Sequence, residues 1–365
     1  MTSRTIRSLG VSGPGELYFL DYEEGPPGDE EVQLETLFTG FSAGTELTFL
    51  KNTNPYFFSR FDNDRCSFIS NEPGLQYPVP FLGYMEVARV ADSKSVGYAK
   101  GDVVATTYAH KTGHTANPYH DLLVPLPPAI EPILGIFVAQ MGPIAANGIL
   151  HADAASFGTF VPSLGSGLAG RRILVVGAGT VGLLTALFAK SLGATEIVIA
   201  DPSKFRRGKA EALGILGMSE DHAWQYAKAR WHNGGGDRGA DLVFQTRAHS
   251  ESLNVALKAL RPQASVIDLA FYQSGADALR LGEEFHHNGL NILCAQIDRV
   301  PRGLSPHWDR RRLAEETIKL LRNEGALIKE HLITHVVPFN DAPAFLSSVL
   351  ARQFEFLQIV FEVQK

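Results

Sequence analysis

Residues 173–201 read ILVVGAGTVGLLTALFAKSLGATEIVIAD, and this stretch decides the fold. Ile173–Val176 is an unbroken apolar run, the pattern of a strand covered on both faces. Glycines then fall at 177, 179 and 182 in the spacing G-x-G-x-x-G. The following TVGLLTALFAKS predicts a helix closed by Gly193. EIVIA predicts a second buried strand, which ends on Asp201, about twenty residues beyond Gly182. Each part has a physical purpose. Gly177 permits a sharp turn, Gly179 lets the backbone approach a pyrophosphate, and Gly182 lets the helix lie close to the sheet. The helix start at Thr180 and Val181 points backbone N–H groups at the anion. Asp201 is placed to accept from the adenosine ribose hydroxyls, and it would repel a 2′-phosphate. NAD is therefore favoured over NADP. Lys204, Arg206 and Arg207 follow closely and are available to hold a phosphate.

Working outward, the alternation continues. Helix SKFRRGKAEALG, strand ADLVFQT, helix SESLNVALKALR, strand ASVIDLAF and strand-like LNILCAQI follow in turn. Strands of this kind alternating with helices predict an α/β fold with a doubly wound parallel sheet. Before it, residues 1 to about 127 are short strands punctuated by Gly and Pro: GELYFLDY, EVQLETLF, EVARVAD, GDVVATTY and LLVPLP. Residues 128–150 read as helix, broken at Pro143. Ser305 as N-cap and Pro306 as first residue predict a late helix. The tail LITHVVPF to LQIVFEV returns to strand, helix, strand. The expected division is 1–150, 151–302 as the nucleotide fold, and 303–365 returning to the first domain.

The bulk composition narrows the function classes. The chain has 365 residues, 45% of them hydrophobic, and a net charge of −6. That balance argues against a nucleic-acid partner. The long apolar stretches 132–150 and 173–189 are interrupted by glycines, so no membrane span is expected. The first residues lack the apolar core of a signal peptide, and the expected compartment is the cytoplasm. Cys66 and Cys294 are the only cysteines. They exclude a disulfide framework and a four-cysteine zinc lobe.

A β-rich first part, a central G-x-G-x-x-G unit and a returning tail resemble the medium-chain dehydrogenase/reductase superfamily. GDVV (101–104), LVPLP (123–127) and ADLVFQT support the resemblance. It implies a GroES-like β-barrel catalytic domain joined to a Rossmann domain, a small-molecule alcohol or carbonyl substrate, and a homodimer. Zinc-dependent members carry a Cys-Gly-Thr-Asp-like turn, a Gly-His-Glu segment and a third ligand further on. Here the turn is Ala43-Gly44-Thr45-Glu46, the segment is Gly83-Tyr84-Met85, and AQMGPIAAN offers no ligand. The chain is therefore similar to zinc-independent members, including the branch that contains bacteriochlorophyllide hydroxyethyl dehydrogenases. His110, His114 and His120 lie in YAHKTGHTANPYH, where no helix aligns them for a metal. They are expected as loop histidines that line a pocket or are exposed.

Without zinc, a hydrogen-bond donor must hold the substrate oxygen as charge develops. Three residues are candidates. Thr45 matches a hydroxyl position that in the family relays protons near the nicotinamide ribose. Tyr84 stands where a zinc ligand stands, and its phenol can donate to a carbonyl oxygen. His114 is a second acid/base candidate. Glu46 is expected to tie its turn to neighbouring backbone. The expected activity is an NAD-dependent exchange between an alcohol and a ketone or aldehyde. Reduction of a conjugated C=C, as by a quinone or enoyl reductase, and an inactive dinucleotide-binding protein are the alternatives.

Overall fold

The computed structural model describes residues 3–273 and 275–363. The backbone divides into two compact units, one running to Gln140 and resumed from Ile333, the other Met141–Leu332.

The second unit is built on a six-stranded sheet. Its order is Leu216–Met218, Glu196–Ala200, Arg172–Val176, Ala240–Gln245, Leu260–Asp268 and Asn291–Cys294. Every neighbouring pair is parallel. The chain starts in the middle, winds to one edge, and returns to wind to the other, which is the doubly wound arrangement of a Rossmann fold. Ile173–Val176 are each fully buried, as an apolar strand covered on both sides requires. Helices Thr180–Ser191 and Ser250–Ala259 supply part of that cover.

The first unit carries a seven-stranded sheet. Ile333–Pro338, Gln358–Glu362, Val32–Phe41, Glu86–Ser93, Val103–Thr106 and Leu123–Pro125 lie in that order, and Gly113–Ala116 also pairs with Val32–Phe41. The returning tail thus supplies two strands, one of them beside Val32–Phe41. The core beneath that strand gathers Leu9, Val11, Phe41, Leu82, Phe339, Ile359 and Phe361.

Three expectations change. The unit boundaries fall at 140/141 and 332/333, not at 150/151 and 302/303. Helix Met141–Phe157 packs on both Thr180–Ser191 and Arg310–Leu332, so both flanking helices join the second unit. Pro143 does not break a helix. It lies in the first turn of Met141–Phe157, where a missing N–H costs nothing. Ser305 does not cap the late helix either. That helix is Arg310–Leu332, and Asp309 accepts from the Arg312 N–H at 2.8 Å. Among the described residues no helix is long and apolar enough to cross a membrane.

Candidate active site and dinucleotide cradle

Strand Val32–Phe41 delivers the chain to Ser42, and helix Ala43–Leu50 begins at once. This brief strand-to-helix corner sets Ser42, Thr45 and Glu46 close together. The Tyr84 hydroxyl donates to Ser42 Oγ, and Thr45 lies near enough to act on the same phenol. Three hydroxyls, from Ser42, Thr45 and Tyr84, therefore gather. Burial pushes the Tyr84 phenol up to about 12, the Glu46 carboxylate adds to the rise, and the Ser42 and Thr45 hydroxyls oppose it.

Glu46 does more than tie its turn. One carboxylate oxygen accepts from the Ser42 N–H at 2.7 Å, as expected, and the other lies 2.8 Å from His110 Nε2. His110 Nδ1 lies 2.8 Å from Thr39 Oγ1. Thr39, Glu46 and His110 are all buried to 1% exposure or less. Gly83 is needed where the chain passes over this ring. Its φ is +100°, and a Cβ there would lie 2.8 Å from three atoms of the imidazole.

His110 does lie in a loop, as expected, but it is buried there with both ring nitrogens engaged. His114 is not a loop residue. It sits in strand Gly113–Ala116 opposite Leu34, fully buried, with its ring stacked on Tyr108 at 3.5 Å. Its Nδ1 lies 3.3 Å from Glu86 Oε2, and neither ring nitrogen completes a hydrogen bond among the described residues. Glu86 accepts in turn from the Thr36 hydroxyl. The structure brings Thr45 and Tyr84 together and places His114 in this separate pair. His120 is exposed.

In the second unit, strand Arg172–Val176 turns sharply at Gly177, whose φ is +105°. Gly179 is the N-cap of helix Thr180–Ser191, and no side chain caps that end. A Cβ on Gly182 would lie 1.8 Å from the Gly177 carbonyl oxygen, so only glycine allows this turn. Thr180 and Val181 form the first turn of the helix. Asp201 accepts from the Ala178 N–H at 2.9 Å and the Ser203 N–H at 2.8 Å, so its carboxylate braces the glycine turn. The Arg206 guanidinium reaches over the turn, with Nη1 3.7 Å from a Cβ built on Gly179. Arg207 is spent on the Asp201 and Pro202 carbonyls, both at 2.8 Å.

Sequence reasoning missed the polar groups at the ends of the next strands. Gln245 Nε2 donates to the Arg247 carbonyl at 2.7 Å and approaches the Tyr272 hydroxyl at 3.3 Å. Tyr272 donates to Asp268 at 3.0 Å. The only available signal was that these residues end or follow apolar strands, where open α/β sheets bind ligands.

Comparison with known proteins agrees with this layout. The family described as zinc-binding dehydrogenase matches residues 180–294. D-guloside 3-dehydrogenase of Escherichia coli K12 is 25% identical over 349 residues, 93% of this chain and 94% of its own length. The solved alcohol dehydrogenase of Thermus sp. ATN1 superposes with a TM-score of 0.74 at 16% identity, covering 98% of this chain and all of that one. Galactitol-1-phosphate dehydrogenase of E. coli superposes at 0.73, also at 16% identity, over 98% and 99% of the two chains. The chain is similar to zinc-type alcohol dehydrogenases, and that likeness raises the question of a metal. Of the zinc-ligand places in the resemblance, Ala43 offers no donor, Tyr84 is bonded to Ser42, and the Met85 side chain packs against Gly40. The nearby His110 has both ring nitrogens committed to Thr39 and Glu46. Among the described residues no three His, Cys, Asp or Glu side chains gather to share an ion. The zinc ligand set implied by the resemblance does not fit these residues. A dinucleotide does fit the cradle around Gly177, Gly179 and Gly182.

Proposed function

We propose that this medium-chain dehydrogenase-like chain is an NAD-dependent, zinc-independent oxidoreductase that interconverts a secondary alcohol and a ketone on a polyol or glycoside. The observation that carries the reading is the meeting of the Tyr84, Ser42 and Thr45 hydroxyls where related enzymes place zinc ligands. The chemistry that a nicotinamide dinucleotide would supply when bound is hydride transfer. With substrate bound the Ser42 hydroxyl turns to donate to the phenol oxygen, and Tyr84 donates instead to the carbonyl oxygen and gives it a proton as the alkoxide forms. Ser42 and Thr45 fix the direction of that phenol. Gly177, Gly179 and the first turn at Thr180 and Val181 receive the pyrophosphate, Gly182 keeps the helix close, and Arg206 adds charge beside it. Asp201 sets the preference for a ribose with free hydroxyls. The substrate class rests on the relative named for D-guloside, whose match spans nearly the whole chain.

We read the working form as a cytoplasmic homodimer. Asn291–Cys294 ends the six-stranded sheet, with one edge unpaired among the described residues, and a second copy can extend it. The test of the function is a screen of polyols, glycosides and their keto forms, followed by NADH absorbance. Turnover of a secondary alcohol with product reduced or oxidised at carbon–oxygen supports the reading. Saturable NADH binding with no turnover across the panel, or reduction of a C=C in an enone control, contradicts it.

A further inference from the structure

A dinucleotide laid across the glycine turn has two arms. The turn sits between the ends of Arg172–Val176 and Ala240–Gln245, where Thr246 Oγ1 donates to the Gly177 carbonyl at 3.0 Å. Asp201 follows Glu196–Ala200, which pairs with the other side of Arg172–Val176. With the pyrophosphate at the turn and the adenosine toward Asp201, the nicotinamide nucleoside runs the opposite way, over Ala240–Gln245 and Leu260–Asp268. Register places Val176, Gln245, Asp268 and Cys294 in one row across the sheet. Asp268 thus stands two strands from the glycine turn, roughly 10 Å, the reach of one nucleoside. The two halves of the sheet are built alike. Strand, helix and strand lead to Asp201 in the first half, and strand, helix and strand end on Asp268 in the second. Each carboxylate accepts from the N–H two residues on, Ser203 at 2.8 Å and Ala270 at 3.0 Å.

Asp268 is 7% exposed, and its other bond comes from the Tyr272 hydroxyl at 3.0 Å. No cation pairs with it among the described residues. Asp241, near the opposite end of the neighbouring strand, differs: Arg172 and Arg261 both pair with it. A carboxylate offers about four acceptor sites, so the bonds to Asp268 leave acceptors to spare. Gln245, fully buried, adds another. Its Nε2 donates to the Arg247 carbonyl at 2.7 Å, which fixes the amide so that Oε1 is the atom without a partner. The same Nε2 approaches Tyr272 Oη at 3.3 Å and so steadies the phenol that holds Asp268. This strand end is rich in acceptors and short of donors. The nicotinamide nucleoside carries donors, in its ribose hydroxyls and its carboxamide N–H groups. We infer that Asp268, set by Tyr272 and Gln245, is the acceptor that fixes the nicotinamide half of the dinucleotide, the counterpart of Asp201 on the adenosine half. The inference rests on the reading that the glycine turn holds a nicotinamide dinucleotide.

The test is cofactor binding by the full-length protein, and it needs no turnover. NADH is titrated by fluorescence, and ADP, which lacks the nicotinamide nucleoside, by calorimetry. In Asp268→Asn, NADH should bind about tenfold or more weakly, and ADP should bind as in the native protein. Tyr272→Phe should also weaken NADH without moving ADP. A merely structural Asp268 predicts equal losses for the two ligands, because the strand end and the glycine turn belong to one sheet. Reduced nicotinic acid adenine dinucleotide, with a carboxylate in place of the carboxamide, separates the two donors. If the carboxamide donates, native protein should disfavour this analogue relative to NADH, and Asp268→Asn should narrow the gap. If the ribose hydroxyls donate, Asp268→Asn should weaken both dinucleotides alike. Native NADH affinity in Asp268→Asn, or equal losses of NADH and ADP, overturns the inference. If Asp268→Asn does not fold, Tyr272→Phe decides by the same two readings. Native protein that binds no NADH overturns the dinucleotide reading itself, and the substrate screen alone reports on the proposed activity.

Discussion

His110 Nε2 lies 2.8 Å from Glu46 Oε2, and both side chains are closed off from solvent. This contact joins residues 64 positions apart in the chain. It ties strand Val32–Phe41 and the helix after it to the segment that precedes Gly113–Ala116. Glu46 also accepts from the Ser42 N–H, and Ser42 Oγ accepts from the Tyr84 phenol. The second unit contributes a glycine turn on a parallel sheet. Both features have consequences that can be measured.

The glycine turn is the most sterically demanding. A Cβ at 182 would overlap the Gly177 carbonyl oxygen at 1.8 Å. Gly182→Ala should therefore push the Thr180–Ser191 helix away from the turn. We expect a stability loss of about 1–3 kcal/mol and at least a tenfold weaker NADH affinity. Thermal melting and NADH fluorescence titration check this. Native affinity in the Ala variant would show that the turn does not hold the cofactor.

Asp201 should make the native protein bind NADH more tightly than NADPH. Its carboxylate also holds the Ala178 and Ser203 N–H groups, so Asp201→Ala would strip two partners from the backbone. Asp201→Asn keeps an acceptor for one of them and removes the charge. It should narrow the NADH-over-NADPH gap by roughly 1–3 kcal/mol. Parallel titrations with the two cofactors measure the gap. A native preference for NADPH would contradict the assignment, with Lys204 and Arg206 as the responsible charges.

How much of this was readable beforehand differs sharply between the two units. The parallel sheet was legible because its signals are local. Ile173–Val176 and the three glycines each follow from neighbours in sequence, and the fold places them in the expected strand, turn and helix start; Asp201 follows the next strand, where its carboxylate holds the Ala178 and Ser203 N–H groups. Pro143 misled because a proline ends a helix or opens one, and only the position of the true start at Met141 distinguishes the cases. Ser305 misled because Asp309, four residues on, is the better placed cap. In the first unit Thr45 and Tyr84 could be nominated by their places in the turn and in Gly83-Tyr84-Met85. Their meeting with Ser42, and the His110–Glu46 contact below them, depend on strand register across long separations. Histidines in a segment rich in Gly and Pro look like loop residues until Gly113–Ala116 is seen to pair with Val32–Phe41.

Metal content separates the proposed activity from zinc-dependent chemistry. Protein purified without chelators is expected to carry zinc far below stoichiometry. Treatment with a chelator should change neither activity nor melting temperature. Stoichiometric zinc, lost together with activity, would contradict the zinc-independent reading.

The pH dependence follows from the sign of the Tyr84 shift. Burial raises the phenol to about 12, so near neutrality it is protonated almost completely. Reduction, which uses the proton donor, should be flat across neutral pH. Oxidation needs the same oxygen as a proton acceptor, and its kcat/KM should rise about tenfold per pH unit with no plateau below about pH 10. Rate profiles in both directions check this. A plateau in oxidation near pH 7 would assign the base to a different group.

The central claim is that the Tyr84 phenol holds and protonates the reacting oxygen, and Tyr84→Phe tests it most directly. The variant keeps the ring and removes only the hydroxyl, so its melting temperature and NADH affinity should stay near native. With the alcohol or ketone found in the screen, kcat should fall by about 10²–10³, the cost of losing one such donor. A folded, NADH-binding Tyr84→Phe enzyme with native kcat would contradict the account.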